Sequence, residues 1–153
     1  MTTRVTRPRR SCLSVPGSSP KMLAKAPGLP ADEVFMDLED SVAPGAKEEA
    51  RGNVIQAVKE GDFSGKTLVV RVNDVSTKWC YRDVIEVVEN AGEFIDCLMI
   101  PKVQDAAQVY FIDSLLRQIE LSVAHANQVS ELDLVDLLQM RIGNLTAANQ
   151  SHP

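Results

Sequence analysis

Residues 34–51, VFMDLEDSVAPGAKEEAR, decide the fold. They begin with a short apolar run, and Glu39 and Asp40 end it before the Pro44-Gly45 turn. This pattern predicts a buried strand over 33–38 with two carboxylates at its C-terminal end. Apolar residues then recur at the spacing of one helix face, at Ala46, Ala50, Val54, Ala57 and Val58. A helix over 45–60 is therefore predicted, and the stretch forms one strand-helix unit.

The same unit occurs four times along the chain. The predicted strands are 11–15, 33–38, 67–72 and 97–100, and the predicted helices are 21–26, 45–60, 78–90 and 105–123. Short apolar strands that alternate with helices predict a parallel sheet with right-handed crossovers. VPGSSP does not fit the dinucleotide motif GxGxxG, and no Walker A loop occurs. The prediction is an α/β fold, a partial TIM (β/α)8 barrel of about four βα units, and an open nucleotide-binding sheet ranks last.

Charged residues occupy the C-terminal ends of three predicted strands. Glu39 and Asp40 follow the second strand, Arg71 lies in the third, and Lys102 follows the fourth. Taken singly, the carboxylates fit a helix cap, and Arg71 fits a side chain that snorkels from a sheet edge. Taken together, they lie at the strand ends that form the mouth of a barrel, where active sites are built.

The composition narrows the class of protein. The chain has 153 residues, 44% of them hydrophobic, and a net charge of -5, which fits one globular domain and disfavours nucleic acid as a partner. Arginines cluster near the N-terminus, at Arg4, Arg7, Arg9 and Arg10. They fit either a solvated leader or, for Arg10, an anion-binding residue. Since no apolar run approaches the ~18 residues of a membrane span, a cytoplasmic protein without a membrane partner is expected.

The cysteines predict neither a disulfide framework nor a zinc site, because the three lie far apart without a CxxC pair. Cys12 and Cys97 lie in apolar runs and are expected in the core, whereas Cys80, at a helix start, is expected to be exposed. The two histidines, His125 and His152, both lie in the C-terminal segment. A Cys-His nucleophile is therefore not expected.

Four strings of the sequence resemble one known family. RRSCLSVPGSSPKMLAKA (9–26), VFMDLEDSVAPGAKEEAR (34–51), LVVRVND (68–74) and LMIPKV (98–103) are similar to the citrate lyase beta-subunit and malyl-CoA lyase group of the HpcH/HpaI aldolase superfamily. The similarity runs over 9–123, as the N-terminal half of a citrate lyase beta-like barrel. DLEDSVAP followed by a charged helix is its most specific part. Ser14 and Ser19 stand where malyl-CoA lyases often have an aromatic and a basic residue.

The resemblance implies a magnesium-dependent carbon-carbon lyase of acyl-CoA thioesters such as malyl-, citramalyl- or citryl-CoA, with a small oxo acid as the other ligand. Such a cleavage needs a divalent cation, a positive group near the developing oxygen charge, and a group that handles a proton. By resemblance, Arg71 holds the substrate oxygen, and Glu39 and Asp40 lie beside the metal. The substrate and CoA contacts expected are Arg71, Lys25, Lys102 and Arg10.

No metal ligand is assigned in the sequence. In the family a glutamate on the fifth strand and an aspartate on the sixth bind magnesium, and neither motif follows Val123. Glu131, Asp133 and Asp136 fit a helix that Ser130 caps better than a metal site. Residues 124–153 are expected to form a divergent helical or disordered tail, which covers the core, pairs with another copy, or is foreign sequence from a truncation or frameshift.

Two functions remain open. The first is a lyase completed by a second chain, since four strands leave unpaired edges that favour a homo-oligomer or a complementing chain. The second is a truncated, inactive half barrel that at most binds CoA or a partner chain. The missing metal ligands favour the second for this chain, and the family resemblance favours the first as its ancestry.

Overall fold

The computed structural model describes residues 7–126, with side chains up to residue 123. Its strands are β1 (Cys12–Pro16), β2 (Glu33–Asp37), β3 (Thr67–Arg71) and β4 (Cys97–Met99). Its α-helices are α1 (Pro20–Lys25), α2 (Lys47–Glu60), α3 (Cys80–Ala91) and α4 (Ala106–Ala126), and short 3₁₀ turns lie at Ala26–Gly28, Pro44–Ala46 and Gly92–Phe94. The predicted succession of four strand-helix units is confirmed.

The four strands form one parallel sheet in the order β1-β2-β3-β4. Each strand pairs with the one before it in the chain, as in a (β/α)8 barrel, whereas a doubly wound sheet reverses its order at a switch point. The α/β class and the partial-barrel order are therefore confirmed. Pairing aligns the last residues of the strands in one row at the carboxyl edge: Pro16, Asp37, Arg71 and Met99.

Alternation along the strands builds the core of the unit that ends at Val103. Val34 and Met36 on β2, and Leu68 and Val70 on β3, are at most 1% exposed. Because side chains two positions apart share a face, these residues line one side of the sheet. They belong to one apolar cluster with residues of the helices, among them Leu23, Val54, Val58 and Val87.

Helix α4 belongs to a second unit, which begins at Gln104. Its start follows from Asp105, whose Oδ1 accepts the Gln108 N–H at 3.1 Å, while the Gln108 side chain accepts the Gln104 N–H at 2.8 Å. The predicted tail falls, from residue 127 onward, outside the described residues. No helix within residues 7–126 has the length and apolar character needed to cross a membrane.

Three N-terminal arginines pair with acidic residues at the amino edge of the sheet. The ion pairs are Arg7–Asp96 at 3.0 Å, Arg9–Glu33 at 3.8 Å and Arg10–Asp32 at 3.1 Å. Arg9 and Arg10 keep exposed side chains, at 55% and 80%, as expected of a solvated segment. The parallel strands nevertheless bring the acidic residues that precede or begin β2 and β4 to the edge where β1 begins. Arg4 lies outside the described residues.

The burial of two cysteines differs from the prediction. Cys12 is exposed on the edge strand β1, and its thiol donates to Glu33 Oε1 at 3.0 Å. Cys80 is 1% exposed, because the first residue of α3 lies on the helix face that packs inward. Burial raises the pKa of Cys80 to about 11, with help from Asp83 and Asp74. Cys97 is half-buried.

Gly17 occupies a position where a side chain has no room. A Cβ placed on it lies 2.9 Å from the Asp37 carbonyl oxygen and 2.9 Å from Val54 Cγ2. We expect Gly17→Ala to lower the free energy of unfolding by about 1–3 kcal/mol, because a strand carbonyl and a buried valine cannot move away cheaply. Urea unfolding followed by circular dichroism measures the loss.

Gly52→Ala is the matched control for this prediction. Gly52 is exposed within α2, and no heavy atom lies within 4 Å of a Cβ placed on it. Alanine there gains helix propensity, so the free energy of unfolding should rise by up to about 1 kcal/mol. A similar response of the two variants would contradict the packing argument.

Candidate functional site

Asp37 and Arg71 join β2 and β3 at the carboxyl edge of the sheet. They are cross-strand partners, and Arg71 donates from Nε to Asp37 Oδ1 at 2.8 Å and from Nη2 to Oδ2 at 2.7 Å. Two parallel bonds of this kind fix both distance and orientation. The Asp37 side chain is 0% exposed and that of Arg71 21%. The Arg71 guanidinium is therefore held in place by β2 as well as by its own strand, β3.

The Asp37 carboxylate also accepts two backbone donors. The Glu39 N–H bonds to Oδ1 at 2.7 Å, and the Ser41 N–H bonds to Oδ2 at 3.0 Å. Burial by itself raises the pKa of Asp37, but the hydrogen bonds from Arg71, Ser41 and Glu39 outweigh it and hold the pKa well below its usual range. Asp37 thus stays ionised and folds the segment after β2 back over the strand end.

Arg71 presents its remaining nitrogen, Nη1, to the mouth. Nη1 lies 3.6 Å from Glu39 Oε2 and 3.9 Å from Asp40 Oδ2, which is longer than a hydrogen bond. The guanidinium carbon lies 5.4 Å from the centre of the Phe35 ring. Hydrogen bonding to Asp37 raises the pKa of Arg71 despite partial burial. The site therefore holds a permanent cation with two nitrogens bonded to Asp37 and one that makes only long contacts with acids.

Lys102 meets the same carboxylates from the end of β4. Its Nζ lies 2.7 Å from Glu39 Oε1 and 3.0 Å from Asp40 Oδ1. Its φ of 53° is in the left-handed region, which non-glycine residues rarely adopt. The short contacts with the Glu39 and then the Asp40 carboxylate raise the pKa of Lys102. Both carboxylates after β2 are thus bridged by cations from β3 and β4.

Glu39 is a buried carboxylate with unused bonding capacity. Its side chain is 6% exposed. The ion pairs with Lys102 and Arg71 lack hydrogen-bond geometry, so neither oxygen accepts a well-formed hydrogen bond from residues 7–126. Such a buried carboxylate favours any additional hydrogen-bond donor that reaches it. We call the five residues of this site the mouth group: Asp37, Glu39, Asp40, Arg71 and Lys102.

A second buried network fastens α2 to α3 beside the mouth group. Asp83 of α3 is 0% exposed, and its Oδ2 accepts the backbone N–H of Asn73 at 2.9 Å and the Asn73 side chain at 2.6 Å. Its Oδ1 accepts Nε of Arg51 on α2 at 3.0 Å, and Arg51 also donates to Glu86 at 3.0 Å. The two helices and the end of β3 are therefore tied to one carboxylate.

The structure brings together four of the six site residues predicted from the sequence: Glu39, Asp40, Arg71 and Lys102. Arg10 lies at the opposite, amino edge of the sheet, where it bonds Asp32 through both backbone and side chain. Lys25 is exposed at the last residue of α1 and is not part of the mouth group. The CoA contact expected of Lys25 stays a prediction.

Sequence reasoning missed the residue that organises the site. Asp37 lies inside the apolar run EVFMDL and reads as an ordinary strand position. An acidic residue within a buried strand needs a cationic partner, and Arg71 stands at the equivalent position of the next strand, which was the available signal. Lys47 and Asp83 read as surface charges on helices, yet they are 6% and 0% exposed.

The described residues do not fit a magnesium site. Within residues 7–126 no group of three or more His, Cys, Asp or Glu side chains could hold a metal ion. Glu39 and Asp40 lie close together, but each faces both Lys102 and Arg71, so their charges are already balanced. The divalent cation that the resemblance implies has no ligand set among these side chains.

Comparison with known sequences places the chain in one family. The family model described as HpcH/HpaI aldolase/citrate lyase matches residues 10–137. An L-malyl-CoA/beta-methylmalyl-CoA lyase of Cereibacter sphaeroides is 45% identical over 124 residues, which cover 81% of this chain and 39% of that protein. The citrate lyase subunit beta of Leuconostoc mesenteroides is 37% identical over 114 residues, covering 74% and 37%. The chain spans about two-fifths of the length of these curated relatives.

Solved structures show the same relationship. The citrate lyase beta subunit of M. tuberculosis, complexed with oxaloacetate and magnesium, superposes with a TM-score of 0.56 at 33% identity, covering 68% of this chain and 44% of that one. Haloferax volcanii malate synthase, in a magnesium and glyoxylate complex, gives a TM-score of 0.65 at 21% identity, covering 80% and 39%. The second likeness concerns the fold alone.

The buried Asp37 carboxylate predicts a specific dependence of stability on pH. Its folded pKa lies below the ordinary value of about 3.9, so its contribution is fully present above that value and is lost as pH falls toward the folded pKa. We expect Asp37→Asn to lower the free energy of unfolding by roughly 2–4 kcal/mol near neutral pH, because Arg71 loses its partner. The gap in free energy of unfolding between Asp37→Asn and the unmodified chain should narrow as pH falls from about 5 to about 3.

Denaturant unfolding of both chains across this pH range measures the gap. Glu48→Gln, which removes an exposed carboxylate from the first turn of α2, is the control. Its free energy of unfolding should depend on pH in the same way as that of the unmodified chain. A gap between Asp37→Asn and the unmodified chain that stays constant down to about pH 3 would refute the role assigned to the Asp37 charge.

Proposed function

Because this chain belongs to the HpcH/HpaI aldolase/citrate lyase family, we propose that it forms part of a carbon-carbon lyase that acts on acyl-CoA thioesters. The observation that supports this most is the buried Asp37–Arg71 pair, which presents one guanidinium nitrogen at the carboxyl edge of the sheet. The names of the relatives suggest malyl-CoA-type or citryl-CoA-type thioesters as substrates.

The proposed reaction is a retro-Claisen cleavage. The substrate hydroxyl loses its proton, and the bond between the carbinol carbon and the carbon next to the thioester carbonyl breaks. The electron pair of that bond passes to the thioester side as an enolate, which then takes up a proton. The products are an oxo acid and a shorter acyl-CoA, so the charge that needs stabilisation lies on the hydroxyl oxygen and then on the enolate oxygen.

Arg71 is proposed to bind the oxygen of the oxo-acid part. Its Nη1 is the guanidinium nitrogen that is not bonded to Asp37, and its two other donors are held in place before the substrate arrives. Such preorganised donors stabilise developing charge without reorganisation. Glu39 and Asp40 are proposed to keep Lys102 directed at the mouth and to hold water there, as their contacts of 2.7 and 3.0 Å with Nζ support.

The CoA portion of the substrate, magnesium and a partner chain are the further ligands that we propose. Lys102 and the exposed Lys25 are offered as contacts of the anionic CoA portion. A magnesium requirement is supported by the M. tuberculosis relative crystallised with that ion, but the described residues do not fit the metal, and no step is assigned to it. A second copy or a complementing chain is proposed to pair with the outer strands β1 and β4.

A second candidate function is ligand binding without turnover. The observation that favours it is that residues 7–126 offer no group of side chains able to hold a metal ion. In that case the mouth group binds an oxo acid or a CoA thioester, and no carbon-carbon bond breaks.

One assay separates the two functions. The full chain is incubated with malyl-CoA, citramalyl-CoA or citryl-CoA, with and without magnesium chloride, and the oxo acid released is measured by chromatography. The lyase proposal expects turnover that Arg71→Ala lowers by about 10²–10³-fold, the typical effect of removing one preorganised donor. Arg71→Lys should also lose most activity, because lysine cannot replace a bidentate fork.

Arg82→Lys is the matched control, since Arg82 is exposed on α3 and, among residues 7–126, forms its ion pair within its own helix, with Glu86 at 3.4 Å. It should leave turnover unchanged. Turnover by Arg71→Ala at the level of the unmodified chain would refute the lyase proposal. No turnover with any of the three thioesters, together with their binding measured by calorimetry, would establish the second function.

A further inference from the structure

Leu38 and Glu39 follow β2, and the backbone N–H and C=O groups of both residues are hydrogen-bonded. The Leu38 N–H donates to the Arg71 carbonyl at 3.0 Å, and the Glu39 N–H donates to Asp37 Oδ1 at 2.7 Å. The Leu38 and Glu39 carbonyls both accept from the Lys47 ammonium, at 2.9 and 2.8 Å. The Glu39 carbonyl also accepts the Val42 N–H at 3.1 Å. Of these five bonds, the Lys47 side chain supplies two.

Lys47 is an unusual donor to these carbonyls because its side chain is buried. It is 6% exposed, and a buried ammonium needs compensation. Burial lowers the pKa of Lys47, while the charges of Asp83, Asp37, Glu39 and Asp40 oppose that shift. Its hydrogen bonds nevertheless go to backbone carbonyls rather than to any of these carboxylates. The contact therefore acts on the path of the chain rather than on the charge of a partner.

The ammonium is itself held from two sides. Lys47 is the first residue of α2, which Arg51 fastens to Asp83 of α3. Trp79, directly before α3, places its ring 5.3 Å from the Lys47 Nζ. The starts of α2 and α3 therefore fix the position of the segment after β2, through Lys47.

We infer that Lys47 is a positioning residue: its ammonium fixes the backbone of Leu38 and Glu39 and so sets where the Glu39 and Asp40 carboxylates meet Lys102 and Arg71. The consequence for catalysis rests on the proposed function, whereas the structural consequence does not. Without the ammonium, the Leu38 carbonyl loses its buried donor, while the Glu39 carbonyl keeps the Val42 N–H at 3.1 Å. The segment is then held at fewer points, and the carboxylates shift with it.

Amide hydrogen exchange followed by NMR tests the structural part. Lys47→Met keeps the length and apolar stem of the side chain but removes its donors. We expect the amides of Glu39 and Ser41, which bond Asp37, to exchange at least ~10-fold faster, while the β3 amides of Leu68 and Val70 keep their protection. Lys47→Arg, which retains a cationic donor, should restore most of the protection.

Lys59→Met is the matched control, because Lys59 is exposed on the last turn of α2; it should leave the Glu39 and Ser41 amides unchanged. Unchanged exchange at Glu39 and Ser41 in Lys47→Met would overturn the inference. Equal loss of protection in β3 would also overturn it, since Lys47 would then stabilise the whole core rather than position one segment.

The lyase assay adds the catalytic part. If the full chain turns over a thioester, Lys47→Met should lower kcat by about 10-fold or more with a smaller change in KM, as expected when transition-state contacts are misplaced. If exchange changes as expected and no chain shows turnover, the positioning role stands and the proposed lyase function fails. Changed exchange with an unchanged kcat would overturn the catalytic part of the inference.

Discussion

The structure depends on the burial of one carboxylate, Asp37, at the end of β2. A buried charge has to be bonded, and each of its bonds constrains another part of the molecule. Arg71 is drawn onto it from β3, which fixes where that guanidinium can point. The amides of Glu39 and Ser41 are drawn onto it from the following segment, which bends the chain over the strand end. The geometry of the mouth therefore follows from satisfying a single side chain.

The charges of the mouth group nearly cancel, since three carboxylates face two cations. The contacts differ greatly in quality, because Asp37 is fully hydrogen-bonded while Glu39 faces its cations at 2.7 and 3.6 Å without hydrogen-bond geometry. The proposed binding of an anionic ligand to Arg71 uses Nη1, which is not bonded to Asp37. The mouth group thus combines one bidentate hydrogen-bonded pair with a buried carboxylate that has no hydrogen-bond partner among residues 7–126.

Much of this could be predicted from the sequence, and the failures have physical causes. Apolar periodicity located the strands and helices because burial dictates both, and the strand-end placement of Glu39, Arg71 and Lys102 correctly brought these residues together. Asp37 and Lys47 were missed because apolar periodicity shows which face of a helix or strand is buried but not which charged residues have buried partners. The partner of Asp37 is 34 positions away, and those of Lys47 are 8 and 9 positions away. The ion pairs of the N-terminal arginines were missed for the same reason, since only the sheet brings Arg7 to Asp96, 89 positions later.

The pairing of each strand with its predecessor has a consequence for how the chain acquires its structure during synthesis. Paired residues of neighbouring strands lie only 21 to 34 positions apart, so each strand leaves the ribosome when its partner is already available. The sheet can grow by addition, one unit at a time. Contacts over longer separations, such as Arg7 with Asp96 over 89 positions and Lys102 with Asp40 over 62, can form only after residues 96 and 102 have been made.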